Sequence, residues 1–223
     1  MMSSDRLEPQ APRLGQPGCP SGFVGRALGW VMARDNDPMN ALAVEVLAPA
    51  PGDRVLEVGF GPGRGLERLA AAVPEGRVDG VDHSALMVAD ARRRNRRAVE
   101  AGRVCPRQAS VHTLPYEDAC FDGAMAVNNH QFWPAPVAAL RELARVLRPG
   151  APLVVVIRAR SPEGRLRYDG IAYDEAAQAA LRAQLVDAGF EWQTEVRRAL
   201  PKVFAAALVA RRPRTAAEAE SGR

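Results

Sequence analysis

A chain of 223 residues with 47% apolar and 25% charged side chains can bury a two-sided sheet without disulfides or metals, which excludes disordered and fibrous classes. The formal net charge of +4 is carried by arginine, Lys202 being the sole lysine, so the basic balance reads as a coding bias rather than selection for phosphate contacts. Cys19, Cys105 and Cys120 form no CxxC pair and leave an odd thiol over, which fits a reducing compartment and predicts no metal site.

In chain order, residues 1–20 are rich in Pro, Gly, Ser and charge and are expected to form a tail. Ser21 is a candidate N-cap for a short amphipathic helix that ends near Asp35 and carries Phe23, Leu28, Trp30 and Met32. Asp37-Pro38 reads as the cap and first turn of a second helix, with Met39, Leu42, Ala43, Val46 and Leu47 on one face. Residues 21–50 then form a helical cap ahead of a domain over 51–212, and residues 213–223 a second tail.

The domain alternates strand and helix. Strands are predicted at Arg54 to Val58, Arg77 to Asp82, Val104 to Ser110, Phe121 to Asn128 and Leu153 to Ile157. Helices fall at Gly65 to Val73, Ser84 to Ala101 and Pro136 to Leu147. This pattern implies a Rossmann-like α/β fold, a parallel doubly wound sheet covered on both faces. A helix from Asp174 to Ala188, stopped by Gly189, precedes two consecutive strands, Glu191 to Arg198 and Lys202 to Ala210, which predict an antiparallel hairpin closing the sheet. The third strand carries Pro106, which removes a ladder donor and suits an edge. No signal-peptide succession is visible and apolar runs such as Val203 to Ala210 are too short for a bilayer, so a cytoplasmic protein without membrane contact is expected.

The chemistry enters after the first strand, at Glu57-Val58-Gly59-Phe60-Gly61-Pro62-Gly63. Glycines there let the backbone turn sharply and approach a ligand closely. The G-x-G-x-x-G spacing of dinucleotide folds fails, because Arg64 or Leu66 stands where its third glycine belongs. The segment closely resembles motif I of class I S-adenosylmethionine-dependent methyltransferases of the small-molecule kind. Three further stretches extend the resemblance: Val78 to Asp82, Leu114-Pro115 through Phe121-Asp122, and Ala139 through Gly150.

That resemblance implies a seven-stranded sheet of order 3-2-1-4-5-7-6 with strand seven antiparallel, and S-adenosylmethionine as cofactor. It implies that Gly59, Gly61 and Gly63 line the methionine moiety, that Glu57 orients its ammonium group, and that Asp82 accepts from both ribose hydroxyls. Phe60, His83, Met87, Val111 and Asn128 complete the expected cofactor contacts. Where the family often places an aspartate on the adenine amino group, this chain has Ser110, a weaker acceptor.

The implied reaction is attack of an O, N, C or S nucleophile on the sulfonium methyl, driven by alignment and exclusion of water. His130, in Asn128-Asn129-His130-Gln131-Phe132-Trp133, is the candidate general base, since imidazole takes a proton near neutral pH and the asparagines only orient an acceptor. Its removal is expected to lower kcat strongly. Trp30, Asn129, His130 and Tyr168 are the candidate acceptor contacts, and Arg165, Arg167 and Tyr173 lie in the same covering segment as Tyr168. Caps this short favour a small or medium-sized organic acceptor, taken by a monomer or homodimer. Two other readings stay open. An RNA methyltransferase would use Arg92 to Arg97, although the N/D-P-P-Y motif is missing; a protein of this fold can also bind the cofactor without transferring a methyl group.

Overall fold

The computed structural model describes residues 36–164 and 172–214. The first tail, the helix expected over Ser21 to Asp35, Trp30, Arg165, Arg167, Tyr168 and the tail from residue 215 on lie outside the described residues.

The chain is helical over 36–47 (α1), then alternates β1 (Arg54–Val58), α2 (Arg64–Ala72), β2 (Arg77–Asp82), α3 (Ala85–Arg94) and α4 (Arg96–Glu100). It continues through β3 (Val104–Gln108), β4 (Gly123–Val127), α5 (Pro136–Val146), β5 (Pro152–Ala159), α6 (Glu175–Asp187), β6 (Glu191–Ala199) and β7 (Phe204–Arg211). The seven strands form one sheet of order β3-β2-β1-β4-β5-β7-β6, parallel from β3 to β5, with β7 antiparallel to both neighbours. Among the described residues β3 pairs only with β2, so Pro106 sits on an edge strand, where a missing N–H is tolerated.

Near-continuous apolar strands bury both faces of the sheet, and their period of two sorts side chains between two cores. Leu153, Val155 and Ile157 of β5 meet Leu140 and Leu143 of α5 and Leu181 and Leu185 of α6. Val154 and Val156 face the other side, with Met39 and Leu42 of α1 and Leu66 and Leu69 of α2. By the same alternation Glu57 shares the α2 face with Val55, and this places a carboxylate under the start of α2.

Two local expectations fail for identifiable reasons. The helix expected over Ser84 to Ala101 is broken at Asn95, whose side-chain amide donates to Ala91 O and to Gly63 O, each at 3.0 Å. A side chain that bonds the backbone in place of water competes with the helical ladder, and the bond to Gly63 ties the break to the loop after β1. Asp37 does not cap α1, which already includes residues 36 and 37; its carboxylate instead grips Arg68 of α2 at 2.9 and 3.0 Å. Four arginines of the Arg92 to Arg97 run have protein partners. Arg92 donates to Pro106 O, Arg93 pairs with Asp90, Arg94 donates to Pro62 O, and Arg96 stands 3.9 Å from Glu100.

Candidate functional site

The strand order reverses between β1 and β4, and a cavity of about 290 Å³ opens at the carboxyl ends of β1, β2 and β4. Open α/β sheets hold ligands at this switch point because the two loops leaving it diverge to opposite faces. The β1–α2 turn makes the floor, with Gly59 and Gly61 in the lining at φ of 65° and 54° and Gly63 following at 84°.

Two carboxylates face this floor. Glu57 is 2% exposed, its Oε2 has no hydrogen-bond partner among the described residues, and a Cβ on Gly65 would fall 2.1 Å from its Oε1. Burial, and then the nearby Asp82 carboxylate, raise its pKa well above the ordinary range, so the protein by itself favours the protonated form. Asp82 is better supplied: Oδ2 accepts from Gly61 N and Oδ1 from Ser84 N, both at 2.9 Å. Its pKa is nonetheless raised, because burial outweighs the two backbone N–H donors. Buried acceptors in excess of donors call for a ligand that brings N–H or O–H groups.

Beyond this floor the cavity is lined by Met87, Ser110, Val111 and His112 and by Asn128, Phe132 and Trp133. Most residues expected to hold a cofactor therefore meet in one place: Glu57, Gly59, Phe60, Gly61, Asp82, His83, Met87, Ser110, Val111 and Asn128 all line it. Gly63 does not. A Cβ there would fall 2.8 Å from Ala91 Cβ, so this glycine serves the packing of α2 on α3 rather than the cavity.

The acceptor-side expectations change more. His130 is 7% exposed and stands outside the cavity lining, with Nδ1 2.9 Å from the Tyr173 hydroxyl and Nε2 3.0 Å from Gln184 Oε1. Oε1 only accepts, so Nε2 carries the proton and Nδ1 accepts from Tyr173. Desolvation lowers the imidazole pKa despite Gln184, and burial pushes the Tyr173 phenol up to about 12. Both ring nitrogens are thus engaged by protein partners, and His130 brackets the turn after β4 to α6. Its ring lies 5.2 Å from that of Trp133, edge to face, and so backs a wall of the cavity.

His130→Ala is expected to cost about 1–3 kcal/mol of stability while leaving the turnover of folded enzyme within about threefold of wild type. Urea unfolding and saturation kinetics on the same preparation check both. Because its folded pKa is depressed, His130 contributes stability that is present above the ordinary histidine range and lost as pH falls through the folded value.

Asn129 lines the cavity, with its amide nitrogen donating to Val58 O at 2.5 Å and to Gly59 O. Sequence reasoning missed Asn36, Asn40 and Arg64. Asn36 Oδ1 accepts from Asn128 Nδ2 at 3.3 Å and from Arg158 at 2.8 Å, across 122 residues of chain in the second case. Arg64 lines the cavity 3.8 Å from Asp37, which it shares with the more tightly bound Arg68. No sequence spacing signals these contacts, since each is made by tertiary approach.

Comparison with known proteins gives these contacts a context. The family model described as "Methyltransferase domain" matches residues 55–150. An uncharacterized methyltransferase, YdaC, of Bacillus subtilis is 29% identical over 60% of this chain and 72% of its own length. The O-methyltransferase cnsE of Penicillium expansum is 38% identical over 49% of this chain and 39% of its own, so this chain spans well under two thirds of that relative. Among solved structures, an S-adenosylmethionine-dependent methyltransferase from Aquifex aeolicus superposes with TM-score 0.66 at 21% identity, covering 77% of this chain and 88% of the other. The [4+2]-cyclase SpnF also gives TM-score 0.66, at 24% identity over 80% of this chain and 81% of its own.

The cofactor of this family is S-adenosylmethionine, and the residues fit it. Glu57 offers the unmet acceptor that an ammonium group needs, Asp82 keeps lone pairs for ribose hydroxyls, and Arg64 brings a cation to the same floor for a carboxylate. Fold, motif order and the family model's match over residues 55–150 agree, and the chain is similar in each of these respects to the class I S-adenosylmethionine-dependent methyltransferases.

Proposed function

We propose that this protein transfers a methyl group to an oxygen nucleophile of a small or medium-sized, largely apolar organic molecule. The observation that carries this reading is the part of the cavity lining where Val127, Phe132, Trp133 and Pro134 supply apolar surface and Asn36 and Asn128 supply neutral amides. Such a surface accepts a planar apolar body and orients one polar edge. The O-methyltransferase relative supports the choice of oxygen.

When bound, the cofactor supplies an electrophilic methyl group. The protein's own work is then alignment and dehydration, worth up to roughly 7–11 kcal/mol of a two-reactant barrier. Phe132 and Trp133 exclude water, while Asn128, held by Asn36 and through it by Arg158, fixes the amide edge. With both ring nitrogens of His130 engaged, it takes no proton from the acceptor. The favoured substrate therefore carries an acidic hydroxyl, a phenol or an enol, that loses its proton to solvent.

The test is incubation with isotope-labelled S-adenosylmethionine and a panel of phenols, enols, amines and structured RNA. Label recovered in methoxy groups supports the reading. Label in N-methyl groups or RNA overturns the oxygen assignment, and cofactor binding with no labelled product across the panel favours a non-transferring role of the kind that the fold also allows.

A further inference from the structure

The part of the cavity lining that contains Met87, Ser110 and Val111 holds a hydrogen-bond relay whose direction is set by its far terminus. His112 Nε2 lies 3.2 Å from Ala135 O, in the loop before α5. A carbonyl oxygen only accepts, so Nε2 carries the hydrogen and the neutral ring presents Nδ1 as a lone pair. Ser110 Oγ stands 3.3 Å from that Nδ1 and also accepts from the His112 backbone N–H at 3.2 Å. The hydroxyl hydrogen is thereby donated to the ring, and one of the two oxygen lone pairs is taken by the backbone N–H. What Ser110 keeps for the cavity is a single lone pair, an acceptor and not a donor.

We infer that His112, acting through Ser110, is a specificity-determining residue that makes this part of the cavity select an amino-bearing purine over its oxo counterpart. The inference rests on the S-adenosylmethionine reading of the cavity and deepens it. A serine hydroxyl left to itself rotates and satisfies either partner, donating to a carbonyl or accepting from an amine. Poised by His112, it accepts the exocyclic N–H of adenine at no cost. To greet an oxo group it must abandon Nδ1. His112 also ties the Ser110 loop to Ala135, next in the chain to the lining residues Trp133 and Pro134, so the selecting group is held to a second part of the cavity lining. In this way a neutral pair performs the task for which a carboxylate, which only accepts, would serve alone.

Calorimetric titration with S-adenosylhomocysteine and with S-inosylhomocysteine, in which oxygen replaces the amino group, tests this at neutral pH. Wild type is expected to prefer the adenosyl compound by about tenfold, the scale of one hydrogen bond. Ser110→Ala and His112→Ala should each bring the preference close to unity. Ser110→Asp should restore it, and adding His112→Ala to Ser110→Asp should then leave it unchanged, because a carboxylate needs no poising. If His112→Ala retains the wild-type preference while Ser110→Ala loses it, the relay is overturned and serine acts alone. Unchanged preference in both single variants overturns the placement of the base. Failure of wild type to bind either compound refutes the cofactor reading instead.

Discussion

Glu57→Gln is expected to melt at a higher temperature than wild type in the absence of ligand and to bind S-adenosylhomocysteine about 10- to 100-fold more weakly. Both effects come from one carboxylate. Burial and Asp82 raise its pKa, so the folded chain holds this proton more tightly than the unfolded chain does. Stability from such a group is fully present below the ordinary glutamate range and is lost as pH rises through the folded value. Asp82 is shifted in the same direction and adds to the slope. The amide of the variant would remove the ionisation and relieve Asp82, and a gain of at least about 2 °C in melting temperature at neutral pH is the expected scale. An ammonium group arriving beside Glu57 reverses the balance, favours the carboxylate and releases the proton. Wild-type affinity should therefore rise with pH through the pKa of the ligand-free protein, and calorimetry in buffers of different ionisation enthalpy should show proton release that Glu57→Gln lacks. Equal proton uptake or release in both proteins would separate Glu57 from the ligand.

Gly63→Ala is expected to destabilise the fold by about 2–4 kcal/mol, combining backbone strain with overpacking. Its φ is 84°, and the added Cβ would lie 2.8 Å from Ala91 Cβ and 2.9 Å from Ala91 Cα, a backbone atom that moves only if α3 moves. Displacing α3 also strains the Asn95 bond to Gly63 O that fixes the helix break. Gly61→Ala is the matched control: φ is 54°, yet nothing lies within 4 Å of its Cβ position. Strain alone, about 1–3 kcal/mol, then applies, and the methyl group intrudes on the cavity rather than on the core. Denaturant unfolding should rank Gly63→Ala below Gly61→Ala in stability. The opposite order would mean that α2 and α3 separate easily.

The frame of the molecule was legible in the sequence because it rests on local periodicity. Apolar runs at strand length, helices between them and two strands in succession at the end suffice for a parallel sheet closed by a hairpin, and Pro106 identified an edge. The donor half of the site was legible for a related reason: Glu57, Asp82 and the glycines stand at strand ends, where the topology itself carries them to the switch point. Polar side chains that find partners far along the chain were not. Asn95 ends a helix through Gly63, Asp37 leaves its expected cap for Arg68, and His130 gives both nitrogens to Tyr173 and Gln184. A histidine beside a reactive position has the same residue signature whether it faces substrate or holds a wall. Only its partners distinguish the two, and these lie 43 and 54 residues away.

On this reading the cavity at the β1–β4 switch point holds S-adenosylmethionine through Glu57 and Asp82. Equilibrium titration of wild type and Asp82→Ala with S-adenosylhomocysteine tests it most directly. Wild type is expected to bind one-to-one, and the variant, which loses an acceptor for two ribose hydroxyls, at least about tenfold more weakly. Absence of binding to wild type, or equal affinity in the two proteins with the fold intact by circular dichroism, would contradict it.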